Sequence, residues 1–253
     1  MEFPYVKLTL EYDGTDFHGF QRQTGLRTVQ GVLEEWLTRT AGQLVEVAGA
    51  SRTDAGVHAR AQVVQFLAAP VPIPAEKLLM YAKGTLPRDI VVKKVEKVSE
   101  EFNVRSDARW KTYRYVLDLG HVPNVFMRRY AVHVSQRLNE TAIQDAALQL
   151  VGTHDFSSLC AARAQQEMKV RTIYQITCQR QTNDLMFIDV SGNGFLHHMV
   201  RNIVGTLIAV GRNKIAVDAI PKILEAKDRR AAGPTAPAHG LTLWHIEYHV
   251  DWS

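Results

Sequence analysis

The chain has 253 residues, of which 46% are hydrophobic, and this is enough apolar material for one large core or two smaller ones. Its 30 Lys and Arg residues against 26 Asp and Glu residues give a net charge of +4, which alone indicates a polyanionic partner only weakly. The two cysteines lack paired Cys-x-x-Cys spacing, which argues against a zinc site and a disulfide framework and fits a reducing compartment.

The first half of the chain alternates between predicted strands and helices. Apolar and polar residues alternate over Tyr5–Tyr12, which is the period of a half-buried strand. Apolar residues then recur at helical spacing between Thr28, a good N-cap, and Gly42, a stop signal. The remaining elements are predicted as strands at 45–48 and 62–67, a helix at 75–83 and a strand at 90–98.

The second half repeats this order in outline. It contains a predicted strand at 110–118, a helix after Asn139 that Gly152 ends, strands at 171–179 and 185–190 joined by a polar turn at 182–184, a helix with a buried stripe over 199–208, an ordered loop at 233–240 and a last strand at 241–250. Strands joined by hairpins under a few helices predict an α+β fold. We therefore expect two similar lobes, residues 1–106 and 107–253.

The N-terminal residues show no charged segment followed by an apolar one. The most apolar stretch, residues 199–210, is interrupted by Arg201 and Asn202. We therefore expect a soluble cytoplasmic protein with no membrane contact.

Residues 49–62 place a single acidic side chain, Asp54, among arginines and small residues. Arg52 and Arg60 favour an ionised carboxylate, because opposite charges nearby stabilise the charged form. An ionised aspartate can attack carbon or accept a proton. The alternative is an arginine-rich turn in which Asp54 only accepts backbone hydrogen bonds.

Two residues of the second half also stand out from their surroundings. Tyr113 shares a strand face with Tyr115 and Leu117, so its ordinary role is that of a core residue. Arg201 interrupts an apolar helix, and its guanidinium must reach solvent or pair with a charge. A structural salt bridge is the ordinary interpretation of Arg201.

The histidines do not predict a metal site. His197 and His198 are adjacent, and neighbours in a helix point in different directions, so they do not suit one ion. Each histidine is instead expected to cap a turn or meet a phosphate, with His58 nearest to the reactive site; the set is His18, His58, His154, His197, His198 and His239.

Basic residues form clusters without matching acidic runs. One such cluster is typical of solvated surface, whereas several beside aromatic residues favour a nucleic acid. The clusters, which are candidates for binding phosphates, are Arg22, residues 105–114, Arg128 with Arg129, and residues 163–171.

Several short motifs occur in a common order along nearly the whole chain. They are Ser51-Arg52-Thr53-Asp54-Ala55-Gly56-Val57-His58-Ala59, Tyr12-Asp13-Gly14-Thr15, Gly19-Phe20-Gln21-Arg22-Gln23, Thr28-Val29-Gln30, Lys111-Thr112-Tyr113-Arg114-Tyr115, His154-Asp155-Phe156-Ser157-Ser158, His198-Met199-Val200-Arg201-Asn202 and Thr235-Ala236-Pro237-Ala238-His239-Gly240-Leu241. In these motifs and their spacing the chain closely resembles the tRNA pseudouridine synthase A family.

The resemblance implies a fold, an activity and partners. The fold would be the pseudouridine synthase fold: two similar ferredoxin-like lobes with mostly antiparallel sheets, flanking helices and a central cleft. The activity would be isomerisation of uridine to pseudouridine at positions 38, 39 and 40 in the anticodon stem-loop of tRNAs, without a cofactor or metal. Members of the family work as homodimers that share a tRNA across both chains.

The resemblance also implies residue roles. Asp54 would be catalytic, either attacking C1′ of the ribose or removing a proton from C2′, and both paths stay open. Tyr113 would contact the target base, and Arg201 would pair with Asp54 across the lobes. Further substrate contacts are implied for Arg52, which would otherwise bind phosphate, and for His58 and Leu243.

Two departures from the family pattern concern packing and substrate contacts. His197 stands where an aromatic residue such as tyrosine is common, and Arg105-Ser106-Asp107 replaces the usual Arg-Phe-Ser. The residues leave two rival functions open. The first is a tRNA-binding protein or folding chaperone without turnover, and the presence of Asp54, Tyr113 and Arg201 argues against it. The second is a hydrolase that uses Asp54 with His58 and releases uracil.

Overall fold

A computed structural model describes residues 4–161, 168–182 and 184–248. The strands are β1 (Tyr5–Tyr12), β2 (Ala48–Gly49), β3 (His58–Leu67), β4 (Ile90–Val98), β5 (Ala108–Asp118), β6 (Val132–His133), β7 (Gly152–Asp155), β8 (Val170–Arg180), β9 (Leu185–Gly192) and β10 (Leu241–Tyr248). The α-helices are α1 (Val29–Ala41), α2 (Ala75–Thr85), α3 (Glu140–Leu148), α4 (Met199–Gly211) and α5 (Ile220–Ala226).

The chain divides into two compact units, which differ from the predicted lobes at the C-terminus. The first unit contains Met1–Arg109 and Leu243–Ser253, and the second contains Trp110–Thr242. The break after Arg109 lies close to the predicted one after residue 106. Most of β10, however, returns to the first unit, because it lies beside β3 in the sheet.

In the first unit the strands lie in the order β4-β1-β3-β10, with β2 on β3. β1 is antiparallel to both β3 and β4, and its inward residues Leu8 and Leu10 are fully buried. The predicted strand and the helix that follows it are both confirmed. Thr28 accepts a hydrogen bond from the Gly31 amide at the start of α1, and Gly42 ends the helix with φ 70°.

The two predicted strands around Asp54 have different bounds in the structure. β3 begins at His58 instead of 62, because its first residues continue the pairing with β1 past an irregularity between Leu10 and Tyr12. β2 is only Ala48–Gly49, since the Val47 amide donates to a Glu34 carboxylate oxygen at 3.1 Å instead of to a strand.

In the second unit the strands lie in the order β5-β9-β8-β7, all antiparallel in the pairs that the sheet registers give, and β6 is parallel to β5. The α+β class with a mostly antiparallel sheet is thus confirmed. α3 starts at its predicted cap Asn139, but Gly152 opens β7 with φ 113° and the helix already ends at Leu148. β7 and α5 were not predicted.

Several predicted features touch residues outside the described ranges: Asn183 of the polar turn, Arg163 of a basic cluster, and the last two residues of the strand predicted to reach 250. Within the described ranges, no helix combines the length and the apolar character that crossing a membrane requires.

Candidate active site

The segment before Asp54 is fixed by a buried glutamine. Gln62 on β3 is fully buried, and its amide nitrogen donates to the Ser51 carbonyl at 2.7 Å. The Ser51 amide in turn donates to the Gln62 side-chain oxygen at 3.3 Å. One side chain therefore satisfies both backbone groups of Ser51, as a neighbouring strand would.

A second buried contact fixes Thr53, the residue directly before Asp54. The Tyr12 hydroxyl lies 2.8 Å from Thr53 Oγ1, and Tyr12 is only 3% exposed. Burial raises the pKa of Tyr12 to about 12, although hydrogen bonds with Thr53 and Gln62 partly offset it. The phenol therefore stays protonated near neutral pH and retains this hydrogen bond.

The backbone around Asp54 is also fixed from the other side. The Phe20 amide donates to the Thr53 carbonyl at 3.0 Å, and the Val57 amide donates to the Asp54 carbonyl at 3.1 Å. Gly19 has φ 87°, and a β-carbon there would lie 2.8 Å from the Thr53 carbonyl oxygen. Only glycine suits this close approach. The Asp54 side chain itself is half-buried, so a rigid backbone presents a partly accessible carboxylate.

His58 directly follows this turn in the chain, as the first residue of β3. It is 3% exposed, and its Nδ1 accepts a hydrogen bond from the Gly14 amide at 2.9 Å and lies 3.2 Å from Asp13 Oδ1. These contacts give His58 a structural role between the Asp13–Gly14 turn and β3, and its predicted contact with substrate stays a prediction.

The arginines near Asp54 in the sequence are exposed. Arg52 lies on the loop surface, while the Arg60 guanidinium lies over the Trp244 ring at 4.3 Å from its centroid. Leu243, the neighbour of Trp244, is fully buried in β10. Arg52 therefore remains accessible to a phosphate, and the predicted substrate contact of Leu243 stays a prediction.

In the second unit, Tyr113 lies on the buried face of β5. It is 5% exposed, and its ring meets the Phe195 ring edge-on with centroids 5.2 Å apart. Tyr115 on the same face is fully buried and donates its hydroxyl hydrogen to the Pro237 carbonyl at 2.8 Å. The predicted buried stripe is confirmed.

Arg201 lies in the first turn of α4, and it is the half-buried exception in a helix whose other residues are buried. Its Nε donates to the Ala236 carbonyl at 2.8 Å, and the Ala236 amide donates to the Arg201 carbonyl at 3.1 Å. Burial raises the pKa of the Tyr115 hydroxyl, and the positive charge of Arg201 partly offsets this. Because Arg201 and Asp54 belong to different units, their pairing stays a prediction.

The two adjacent histidines do not have the helical geometry that their sequence position predicts. His197 and His198 lie in a turn before α4, and His198 has φ 61°. The two rings are 4.0 Å apart between centroids, at 44° to each other. The premise that helical neighbours point apart was therefore wrong here, because the left-handed backbone at His198 brings the rings together.

The basic clusters differ in how their charges are matched. Arg114 forms a two-pronged ion pair with Asp189, at 2.8 and 2.7 Å, and is largely buried. Such a matched guanidinium is less suited to a phosphate than an exposed one. Arg22 pairs with the buried Glu34 at 3.1 Å, but its own side chain is 54% exposed.

Tyr12 offers a direct test of the contact that fixes Thr53. We expect Tyr12→Phe to lower the free energy of unfolding by about 1–3 kcal/mol, because it leaves the buried Thr53 hydroxyl without this partner. Urea denaturation followed by circular dichroism measures the change, with Tyr5→Phe on the same strand as the control. Equal stability of the two variants would contradict this role of Tyr12.

Sequence reasoning missed Gln62, whereas the hydrogen bond from the Gly14 amide to His58 agrees with the expectation that a histidine caps a turn. The available signal was an amide side chain beside the apolar residues Val63 and Val64 of β3, since a buried polar side chain requires partners. Which backbone groups Gln62 would meet depends on the loop that precedes β3, and no local pattern reveals this.

Comparison with known proteins gives consistent matches along the chain. A family model described as tRNA pseudouridine synthase matches residues 9–107 and 146–249. Relatives named tRNA pseudouridine synthase A include that of Brevibacillus brevis, 46% identical over 243 residues, 96% of this chain and 99% of the relative. That of Bacillus subtilis is 45% identical over 245 residues, covering 96% and 98%. That of Acetivibrio thermocellus is 41% identical over 243 residues, covering 96% and 99%.

Proposed function

Because the chain belongs to the tRNA pseudouridine synthase family, a family of isomerases, we propose that it converts uridine to pseudouridine at positions 38, 39 and 40 in the anticodon stem-loop of tRNAs. The observation that carries this proposal is the Asp54 turn. Its backbone is fixed on both sides by buried contacts, whereas its carboxylate stays partly accessible. A fixed backbone with an accessible reactive group is what positioning for catalysis requires.

The proposed reaction breaks the N1–C1′ bond, turns the uracil and joins C5 to C1′, after which C5 loses its proton and N1 gains one. Uracil leaves as a delocalised anion, so a second carboxylic acid of the kind used by most glycosidases is not required. Asp54 acts on the ribose, either by attack on C1′ or by proton removal from C2′. The reaction consumes no cofactor and requires no metal.

Deuterium at C2′ of the target uridine separates the two paths. Proton removal from C2′ breaks that bond and gives a primary isotope effect on single-turnover rates, whereas attack on C1′ leaves the C2′ bond intact. The matched control is the same tRNA with deuterium at C3′.

The partners in this proposal are the tRNA anticodon arm and a second copy of the chain, in the cytoplasm. Arg52, with its exposed guanidinium, and Arg22 are proposed to bind phosphates, which would supply a salt-dependent share of the affinity. The target uridine must leave the stem before its sugar can be reached, at a cost of a few kcal/mol. Sedimentation of the protein with and without tRNA tests both the dimer and the complex.

The overall activity is tested with unmodified tRNA transcript. Pseudouridine is mapped by carbodiimide-blocked primer extension, and free uracil is measured in the same reaction. We expect blocks at the anticodon stem-loop and no free base. Release of uracil would instead identify a hydrolase, and binding without either product would identify a tRNA-binding protein.

Tyr113 is proposed to contact the target base through its ring and hydroxyl. Tyr113→Phe keeps the ring and should lower kcat less than Tyr113→Ala, which also removes the edge-on packing with Phe195. We expect the alanine variant to lose about 10²-fold or more in kcat/KM, since positioning of the base depends on the ring. Steady-state tritium release from C5-labelled tRNA measures both constants, and wild-type activity of Tyr113→Ala would overturn the assignment.

A further inference from the structure

A segment without regular secondary structure, residues 233–237, lies against α4 in the second unit. The approach is close: a β-carbon on Gly205 would lie 1.7 Å from the Pro234 carbonyl oxygen. The Gly233 amide also donates to Thr206 Oγ1 on the same helix, at 3.0 Å. Because the segment lacks its own backbone ladder, such contacts decide where it sits.

This segment carries the carbonyl to which Arg201 donates. The bond between Arg201 Nε and the Ala236 oxygen at 2.8 Å is matched by the reverse bond from the Ala236 amide at 3.1 Å. The direction of the Arg201 guanidinium therefore depends on the position of Ala236. A residue that fixes Ala236 therefore also helps to fix the Nε side of the Arg201 guanidinium.

Arg229 makes further contacts that fix this segment. Its guanidinium is half-buried and donates to the Gly233 carbonyl at 2.8 Å, to Thr235 Oγ1 at 3.0 Å and to Asn202 Oδ1 at 3.0 Å. These acceptors are neutral, so in these contacts the guanidinium binds backbone and side-chain oxygens and pairs with no carboxylate. Its N–H groups lie in one plane and point in fixed directions, which the lysine ammonium group cannot reproduce.

Asn202 connects Arg229 to the helix that carries Arg201. It is fully buried, its Oδ1 also accepts from Thr235 Oγ1 at 2.7 Å, and its amide nitrogen donates to the Leu159 carbonyl at 3.2 Å. The network thus runs from Arg229 through Thr235 to Ala236, and from Asn202 to its chain neighbour Arg201.

We propose that Arg229 is a positioning residue of the isomerisation, which acts by holding the Ala236 carbonyl where Arg201 requires it. This inference rests on the proposed function, to which we add the role that the family resemblance implies for Arg201, namely pairing with Asp54. The adjacent Arg230 provides a contrast within the same turn. Its guanidinium pairs with Asp228 at 2.7 Å and its side chain is 90% exposed, so it takes no part in the network.

The matched pair Arg229→Gln and Arg230→Gln tests the proposal, because both remove one guanidinium from neighbouring positions. Arg229→Gln is expected to lower kcat by about ten- to a hundredfold, since a displaced catalytic group costs up to about 10²-fold. KM for tRNA is expected to stay within about twofold, because only a group that serves the reaction is displaced. Arg230→Gln should match the wild type in both constants, and Arg229→Lys should recover only part of the loss.

A double-mutant cycle with Arg201→Lys distinguishes positioning from general destabilisation. If Arg229 acts through Arg201, Arg229→Gln lowers kcat little further once Arg201 is replaced. If it only stabilises the unit, the two losses multiply. The Nε–H signal of Arg201 in a 15N correlation spectrum gives a readout without substrate, and its absence in Arg201→Lys assigns it. This proton should be protected from hydrogen exchange in the wild type and in Arg230→Gln. It should lose that protection in Arg229→Gln.

The outcomes separate the failure of this inference from that of the proposed function. Wild-type kcat in Arg201→Lys would overturn the role of Arg201 in the reaction, and with it the role of Arg229. If Arg201→Lys loses much of its kcat, two results would overturn the positioning role alone. In the first, Arg229→Gln has the same kcat as Arg230→Gln. In the second, the losses in kcat from Arg229→Gln and Arg201→Lys multiply. If Arg229→Gln does not fold, Thr235→Val takes its place, since it removes the hydroxyl that links Arg229, Asn202 and the segment. The same double-mutant cycle and the same spectrum then test whether the network positions Arg201.

Discussion

Asp54→Asn is expected to abolish the isomerisation, with a fall of about 10⁴-fold or more in kcat. The substitution nearly retains the shape of the side chain and removes its charge. An amide can neither attack C1′ nor take a proton from C2′, so both open paths predict the same loss. The turn itself should persist, because the backbone contacts of Thr53 and Val57 do not involve the Asp54 side chain.

Steady-state tritium release from C5-labelled tRNA measures this loss, and binding of the same tRNA shows whether recognition survives. Asp16→Asn is the matched control, since Asp16 is an exposed aspartate of the first unit to which no role in the reaction is assigned. It should react like the wild type. Retention of wild-type turnover by Asp54→Asn would remove Asp54 from the mechanism, whatever the control shows.

Gly14→Ala is expected to cost about 3 kcal/mol or more in the free energy of unfolding and to lower kcat as well. A β-carbon at Gly14 would lie 2.0 Å from the Val57 carbonyl oxygen and 2.5 Å from its carbon. These are backbone atoms, so neither can turn aside as a flexible side chain would. Relief of the clash must move the segment that follows Asp54 or the amide that donates to His58.

Gly84→Ala provides the control with the opposite sign. Gly84 is exposed in α2, and nothing lies within 4 Å of its added β-carbon. Alanine in this helix should stabilise the protein by about 0.5–1 kcal/mol, because glycine loses more backbone freedom on folding. Urea denaturation of both variants checks the pair, and a Gly14→Ala variant as stable as Gly84→Ala would contradict the close packing of Gly14 against Val57.

Local patterns in the sequence determined the elements whose cause is local. Alternation over β1 and helical spacing between Thr28 and Gly42 reflect which side of each element faces the core, and both elements have the predicted bounds. The identity of the candidate site came from motif resemblance, since no spacing or composition by itself assigns a reaction to Asp54. The roles of Tyr113 and Arg201 have the same origin.

Only the tertiary structure decided which distant groups meet. β10 returns to the first unit, Gln62 and Tyr12 fix the Asp54 turn, His58 is buried behind it, and Arg229 reaches the segment that binds Arg201. Most of these contacts satisfy a buried polar group or a strand edge with a partner far along the chain, and Arg229 binds Asn202 on α4 as well as the segment that follows it in the chain. Packing of the whole unit determines which partner such a group meets, so a local sequence pattern does not predict it.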